Sequence, residues 1–252
     1  MQVPVKFSII IPTYKRPEGL LAATRSVISQ NYSNFELIVI NDSPQFDYDI
    51  FEKDTIFSDF RDKRSIFYIK NVENKGNNFC KNLALGQVAT DSEYVLFLDD
   101  DDFLAPNALA ELNACLLNNN RPAWLVTNRC VVSQDSLMNF TITQVLTTNH
   151  TRKVCVSYFV DYLLRKRFNG DATHVVRTSI AKKATFSLRI KNGEEWYYFL
   201  QLPKRFLYKN LNTTYTTSGY LQGGLTDVLK TQYTSNTSLL WKDDWKNYKY
   251  LI

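Results

Sequence analysis

Tyr94-Val95-Leu96-Phe97-Leu98-Asp99-Asp100-Asp101-Asp102 is a run of five apolar residues followed by four aspartates. It reads as a strand buried on both faces whose carboxyl end opens onto concentrated negative charge. Four adjacent carboxylates repel one another unless a cation sits among them. Oxygen donors of this kind suit a hard divalent ion, Mg²⁺ or Mn²⁺, that keeps positions open for phosphate oxygens. The alternative is a solvated acidic turn capping a helix expected from Pro106, because helix amino termini attract carboxylates. What stands at the ends of the other strands decides between the two.

Working outward, the first half of the chain alternates strand and helix signals. Phe7 to Ile11 is a continuous apolar strand ended by Pro12. A helix is expected from Pro17 to about Gln30, with Leu20, Leu21, Thr24, Val27 and Ile28 on one face. Strands are expected over Phe35 to Ile40 and Ser65 to Lys70, and a helix over Asn77 to Val88. Short, nearly continuous apolar strands separated by helices imply an α/β fold with a parallel sheet covered on both faces. Such sheets take ligands beyond the carboxyl ends of their strands. The second half is less regular. Helices are expected over Pro106 to Asn118, Val156 to Lys166 and Glu194 to Leu202, with strands over Trp124 to Val132 and Thr173 to Arg177.

Bulk properties narrow the class. The 252 residues suffice for one large α/β domain, and 44% hydrophobic content supports a core. A net charge of +5 is too small to demand nucleic acid, but it suits an anionic small molecule or an anionic membrane surface. The four cysteines, Cys80, Cys115, Cys130 and Cys155, are too far apart for a zinc knuckle or a redox pair and read as free thiols. No signal peptide and no run of roughly 20 apolar residues is visible. The expectation is a cytoplasmic protein, with peripheral contact at the inner face of the plasma membrane allowed.

The strand ends carry the chemistry. After the first come Pro12, Thr13, Tyr14, Lys15 and Arg16; after the second, Asn41, Asp42 and Ser43; after the third, Asn71 and then Asn74, Lys75 and Gly76; after the fourth, the aspartates. Together they offer an aromatic ring (Tyr14), a carboxylate acceptor (Asp42), backbone and cationic donors (Gly76, Lys81) and a place for a metal. Those are the parts that a nucleoside diphosphate needs.

In these pieces the chain resembles the family 2 glycosyltransferases, which have the GT-A fold: a Rossmann-like, mostly parallel central sheet flanked by helices, with a smaller acceptor-side subregion. The matching segments are S-I-I-I-P-T-Y-K-R (Ser8 to Arg16), E-L-I-V-I-N-D-S (Glu36 to Ser43), N-K-G-N-N-F-C-K-N (Asn74 to Asn82) and Y-V-L-F-L-D-D-D-D (Tyr94 to Asp102). The resemblance implies a donor site of Pro12, Thr13, Tyr14, Arg16, Asp42, Asn74, Gly76, Lys81, Asp99 and Asp100. Thr13 and Tyr14 would line the base pocket and Asp42 would accept from the base. Asp99 would reach the ribose, and Asp101, with Asp99 as a second candidate, would hold Mn²⁺ or Mg²⁺. Lys81 stands where the family usually has Arg, which removes the bidentate grip on phosphate.

By the same resemblance, residues 1–105 form the nucleotide-sugar half of one domain, 106–220 the acceptor half, and 221–252 a tail or flap. Arg189 to Trp196 resembles the segment that opens a helix and carries the catalytic base. Glu195 stands where the family has Asp, and Glu194 is the reserve; the alternative is an acid-rich helix start. Gln222-Gly223-Gly224-Leu225-Thr226 resembles a segment that closes over the donor, or is an ordinary glycine turn. The Arg165-Lys166-Arg167 run reads first as a solvated helix end that satisfies its dipole, with lipid headgroups or a lipid diphosphate as the alternative partner. The tail residues Trp241, Trp245, Tyr248 and Tyr250 are candidates for an interfacial anchor, a dimer contact or packing back on the domain.

The activity so implied is inverting, metal-dependent transfer from a nucleotide-sugar, with UDP favoured, to a hydroxyl of a glycan or lipid-linked acceptor in bacterial surface polysaccharide or lipooligosaccharide synthesis. Two other classes compete. A nucleotidyltransferase forming a sugar nucleotide would want a Gly-rich loop after the first strand, and there is no glycine before Gly19. A non-catalytic sugar-nucleotide or glycan-binding module would not need acids at both the metal and the base positions. A dehydrogenase is disfavoured because no G-x-G-x-x-G follows a strand.

Overall fold

The computed structural model describes residues 2–55, 66–136, 139–146, 154–155, 173–190, 194–203 and 206–217. Four parallel strands, β1 (Phe7–Thr13), β2 (Phe35–Asn41), β3 (Ile66–Lys70) and β4 (Tyr94–Phe97), form the first half of a sheet. β1 lies between β2 and β4, and β3 pairs with β2. Every residue of β1, β2 and β4 is buried, so these strands carry apolar side chains on both faces instead of alternating.

The two faces separate by parity. Phe7, Ile9 and Ile11 pack with Leu20, Ala23 and Val27 of α1 (Pro17–Ile28). Ile10, Ile38 and Ile40 pack on the other face with Cys80, Ala84 and Leu85 of the later helix Asn77–Gln87. Pro17 starts α1 without losing a helical hydrogen bond, and Glu18 sits favourably in its first turn. Gly19 is there for space: a Cβ at this position would lie 2.5 Å from the Asp100 carbonyl oxygen. The first turn of α1 therefore runs directly beneath the aspartate run.

After β4 the sheet turns antiparallel. The short β5 (Asp102–Leu104) starts on the last of the aspartates, and β6 is Trp124–Ser136, four residues longer than expected. β7 is Asn139–Leu146, β8 Val154–Cys155, β9 His174–Arg177 and β10 Phe206–Thr217. The strand order is β3-β2-β1-β4-β9-β6-β10-β5, with β7 on β6 and β8 on β10. The helices are α1, α2 (Asp49–Glu52), α3 (Asn77–Gln87), α4 (Ala108–Asn118), α5 (Thr178–Ala181) and α6 (Glu194–Leu200). α4 begins at Ala108 and not at Pro106, because Asn107 takes a left-handed φ of 62°. α6 ends at Leu200, two residues early. The acidic-cap reading of the aspartates fails here, because β5 separates them from α4. Residues 156–172, which include the expected Val156–Lys166 helix and the Arg165-Lys166-Arg167 run, lie outside the described residues, as does everything after 217. Among the described residues, no helix is long and apolar enough to cross a membrane. Cys80, Cys115 and Cys130 are free thiols.

His174 is a core residue. Trp124 Nε1 donates to its Nδ1 at 3.0 Å, and Phe199 stacks on its ring at 3.8 Å between centroids. Burial lowers its pKa to about 3. Below about pH 6.5 the unfolded chain takes up a proton at this position and the folded chain does not. Stability therefore falls as pH drops toward the folded value, and His174 accounts for about 2 kcal/mol of loss between pH 7 and pH 5. Urea denaturation at both pH values measures this, and His174→Gln is expected to remove that part of the slope.

Candidate active site

Because β1 to β4 are parallel, their carboxyl ends meet on one side of the sheet. Asp42 N donates to Thr13 O (2.9 Å) and Asn71 N to Asn41 O (2.8 Å), which ties the loops that leave the first three strands. At the end of β1, Lys15 adopts a left-handed φ of 57°, a conformation that non-glycine residues seldom take. Its N–H is held by Ser43 Oγ (2.7 Å), and Tyr48 Oη accepts from the Arg16 N–H (3.2 Å). This bend leaves Tyr14 45% exposed and turns Arg16 back over the sheet end. Pro12 remains inside β1, opposite Ile40.

The four aspartates form a tight turn, with Asp102 N donating to Asp99 O at 3.1 Å. Each meets a protein cation. Arg16 Nη1 lies 3.2 Å from Asp100 Oδ1 and 2.8 Å from Asp101 Oδ2. Arg129 Nη2, from β6, lies 2.6 Å from Asp102 Oδ1, and Lys81 Nζ lies 3.7 Å from Asp99 Oδ1. The repulsion expected of the aspartate run is thus met by the protein's own side chains. Thr13 Oγ1 also donates to Asp100 Oδ2 at 2.7 Å. Burial raises the Asp100 carboxyl to about pKa 7, against the opposing pull of the Thr13 hydroxyl and Arg16. Burial, then the neighbouring Asp99 charge, raises Asp101.

Carboxylate oxygens of Asp99, Asp101 and Asp102 lie within 4.8 Å of one another. An all-oxygen set of this size fits a hard divalent cation and not a soft metal. Asp99 and Asp101 are the half-buried members, while Asp100 turns inward to Thr13 and serves the shape of the loop.

Asp42 organises its neighbours. Its Oδ1 accepts from Asn71 Nδ2 (2.7 Å) and Lys75 N (2.9 Å), and its Oδ2 from Lys75 N (3.1 Å) and Gly76 N (2.7 Å). Gly76, at φ 88°, turns this loop into α3. Asn74 stands exposed in the same loop. Cys80 lies beneath it, its thiol pushed up to about pKa 12 by burial and by Asp42, which keeps it protonated. Lys81, assigned from sequence to a phosphate, is only 2% exposed; it faces Asp99 and lies 5.4 Å from the Phe186 ring centroid.

α6 stands beside this corner. Tyr198 packs edge-on against Phe97 of β4 at 5.6 Å and stacks on Phe186 at 4.1 Å. Phe199 stacks on Trp124. Residues three and four positions apart share a helix face, so Glu195 is centred on the side that Tyr198 and Phe199 bury. Glu194 lies at the edge of that side, and its side chain is outside the described residues, as are Gln222 to Thr226.

Sequence reading missed Arg129, Tyr48 and Gly19 as builders of this corner. Arg129 precedes nothing that marks it, and its tie to Asp102 spans 27 positions. Asn71 was visible directly after a strand; its 29-residue separation from Asp42 hid the bond between them. A shallow depression lined by Pro4, Gln30, Tyr32 and Asn34 lies at the opposite, amino-terminal end of the strands and carries no carboxylate or cation.

The profile of glycosyl transferase family 2 matches residues 8–156, more than half of the chain. The UDP-Glc:alpha-D-GlcNAc-diphosphoundecaprenol beta-1,3-glucosyltransferase WfgD of Escherichia coli is 30% identical over 151 residues, covering 59% of this chain and 55% of that protein. The GalNAc(5)-diNAcBac-PP-undecaprenol beta-1,3-glucosyltransferase of Campylobacter jejuni is 28% identical over 193 residues, 76% of this chain and 56% of that one. The chain thus spans little more than half the length of these two relatives. Among solved structures, Staphylococcus aureus TarS 1–349 in complex with UDP superposes with a TM-score of 0.64 at 20% identity, over 84% of this chain and 60% of that one. That likeness carries the GT-A fold alone. Together the four segments at the strand ends, the sheet they end and the profile match settle the assignment: the chain belongs to glycosyl transferase family 2.

Proposed function

We propose that this chain transfers a sugar, with inversion, from a UDP-sugar to a hydroxyl of a lipid-linked or glycan acceptor in surface polysaccharide synthesis. The observation that carries the reading is the convergence of Asp99, Asp101 and Asp102 oxygens at the sheet end that also exposes Tyr14. The names of the relatives support it: two are glucosyltransferases whose acceptors are diphosphoundecaprenol-linked, and TarS has also been crystallised with UDP-GlcNAc.

In this reading Tyr14 stacks on the uracil and Thr13 lines its pocket. Asp42 fixes the Asn71 to Gly76 loop and accepts from the base in place of one branch of the Lys75 N–H bond that its two oxygens share. Asn74 and Gly76 border the donor, and Asp99 accepts from a ribose hydroxyl. Asp101 and Asp99 would hold Mn²⁺ or Mg²⁺, which when bound supplies positive charge for the departing diphosphate. Asp100 and Arg129 keep the carboxylates in place. Glu195 takes the proton from the acceptor hydroxyl as its oxygen attacks the anomeric carbon from the side opposite the leaving group. The site acts at the inner membrane face, where such acceptors present their diphosphate.

The test mixes the purified chain with MnCl₂, a panel of UDP-sugars and a short-chain lipid-diphosphate-linked GlcNAc, and follows the product by mass spectrometry and UDP release. The expected result is a product one hexose or N-acetylhexosamine heavier, formed only with metal. Metal-dependent UDP binding with no UDP release from any donor would favour a binding module instead. Absence of UDP binding under all conditions would end the reading.

A further inference from the structure

Of the three cations that meet the aspartates among the described residues, Arg16 differs from the other two. The Lys81 and Arg129 side chains are 2% and 19% exposed, whereas that of Arg16 is 33% exposed. A single nitrogen, Nη1, bridges Asp100 and Asp101. Its backbone is pinned by Tyr48 and by the left-handed Lys15, so the long side chain can swing while its base stays fixed. It holds the same carboxylate that the donor-site reading assigns to a divalent ion.

We infer that Arg16 is a displaceable counter-ion which makes metal and nucleotide bind together. In the free protein the guanidinium neutralises Asp101 and repels a second cation from it. A diphosphate offers anionic oxygens that match the guanidinium fork better than one bridging nitrogen between two carboxylates does. Arg16 moves to the diphosphate, and Asp101 is released to the ion. Metal and UDP then raise each other's affinity by the same factor, as linkage requires. This inference rests on the donor-site reading and adds an order to it.

The experiment is calorimetric titration of the full chain with MnCl₂ alone, with UDP alone and with each in the presence of the other. Wild type is expected to bind Mn²⁺ alone weakly and at least tenfold more tightly with UDP present. The neutral variants Arg16→Gln and Arg16→Met are expected to bind Mn²⁺ alone at least tenfold more tightly than wild type, with a smaller gain from UDP. Arg16→Lys, which keeps the charge, is expected to stay near wild type. Either neutral variant, once its circular dichroism shows it folded, decides the matter. Neutral variants that bind Mn²⁺ alone no better than wild type overturn the inference, as does a Lys variant that gains as much as they do. Wild type without metal-dependent UDP binding refutes the donor-site reading itself, which is a separate result.

Discussion

Asp101→Ala is expected to lower sugar transfer by on the order of a thousandfold, the scale on which loss of one aligned electrostatic partner slows a reaction. It should also remove the metal dependence of UDP binding. The same substitution should leave the fold intact. Asp101 lies at the half-buried rim of the turn, and Arg16 keeps its second partner, Asp100, when Asp101 is lost. Burial also opposes the charge on Asp101, as its raised pKa shows, so the metal-free protein loses an unfavourable ion as well as a favourable pair. The thermal midpoint without metal should therefore change little, while metal should raise it only in wild type. Transfer that survives Asp101→Ala would move the ion to other ligands.

Glu195→Gln is expected to reduce turnover by about 10²–10⁴-fold, the range that a positioned general base contributes. UDP and metal affinity should stay as in wild type, because this residue stands on α6 and not on a strand end. The pairing of the two results is informative. Asp101→Ala strikes donor binding and turnover together, whereas Glu195→Gln strikes turnover alone. Steady-state rates beside calorimetric UDP affinities measure both. Retained turnover in Glu195→Gln would direct attention to Glu194, whose place at the edge of the same helix face makes it the next base to replace.

The parallel half of the fold was legible because burial on both faces leaves a nearly continuous apolar signature, interrupted only by Ser8 and Glu36 in these runs. Phe7 to Ile11, Phe35 to Ile40 and Tyr94 to Leu98 could hardly be anything else. The antiparallel half was harder to read. β6 and β10 bury Thr127, Asn128 and Thr213 and satisfy them across the strand pair: Thr127 with Thr213, and Asn128 with the less buried Asn210 and Asn212. Such residues look like surface in a sequence and break the alternation that announces a strand. β5 is three residues long and begins inside the aspartate run itself, so it had no separate signal. At the site, side chains beside strand ends were readable from position alone. What those side chains touch was not, because partners such as Arg129 and Lys81 are brought in by register and helix packing from distant segments. Lys81 shows the limit well: its position in α3 marked it for the donor site, but not that its side chain would lie buried beside Asp99.

β10 runs antiparallel to β5, with Thr216 opposite Asp102 and Thr214 opposite Leu104. The strand that leaves the aspartates is therefore completed by residues more than a hundred positions later in the chain. Exchanging carboxyl-terminal portions between members of this family at a junction near residue 105 would separate two strands that belong to one ladder. Recombinants intended to pair one donor preference with another acceptor should carry 102–104 and 206–217 from the same parent.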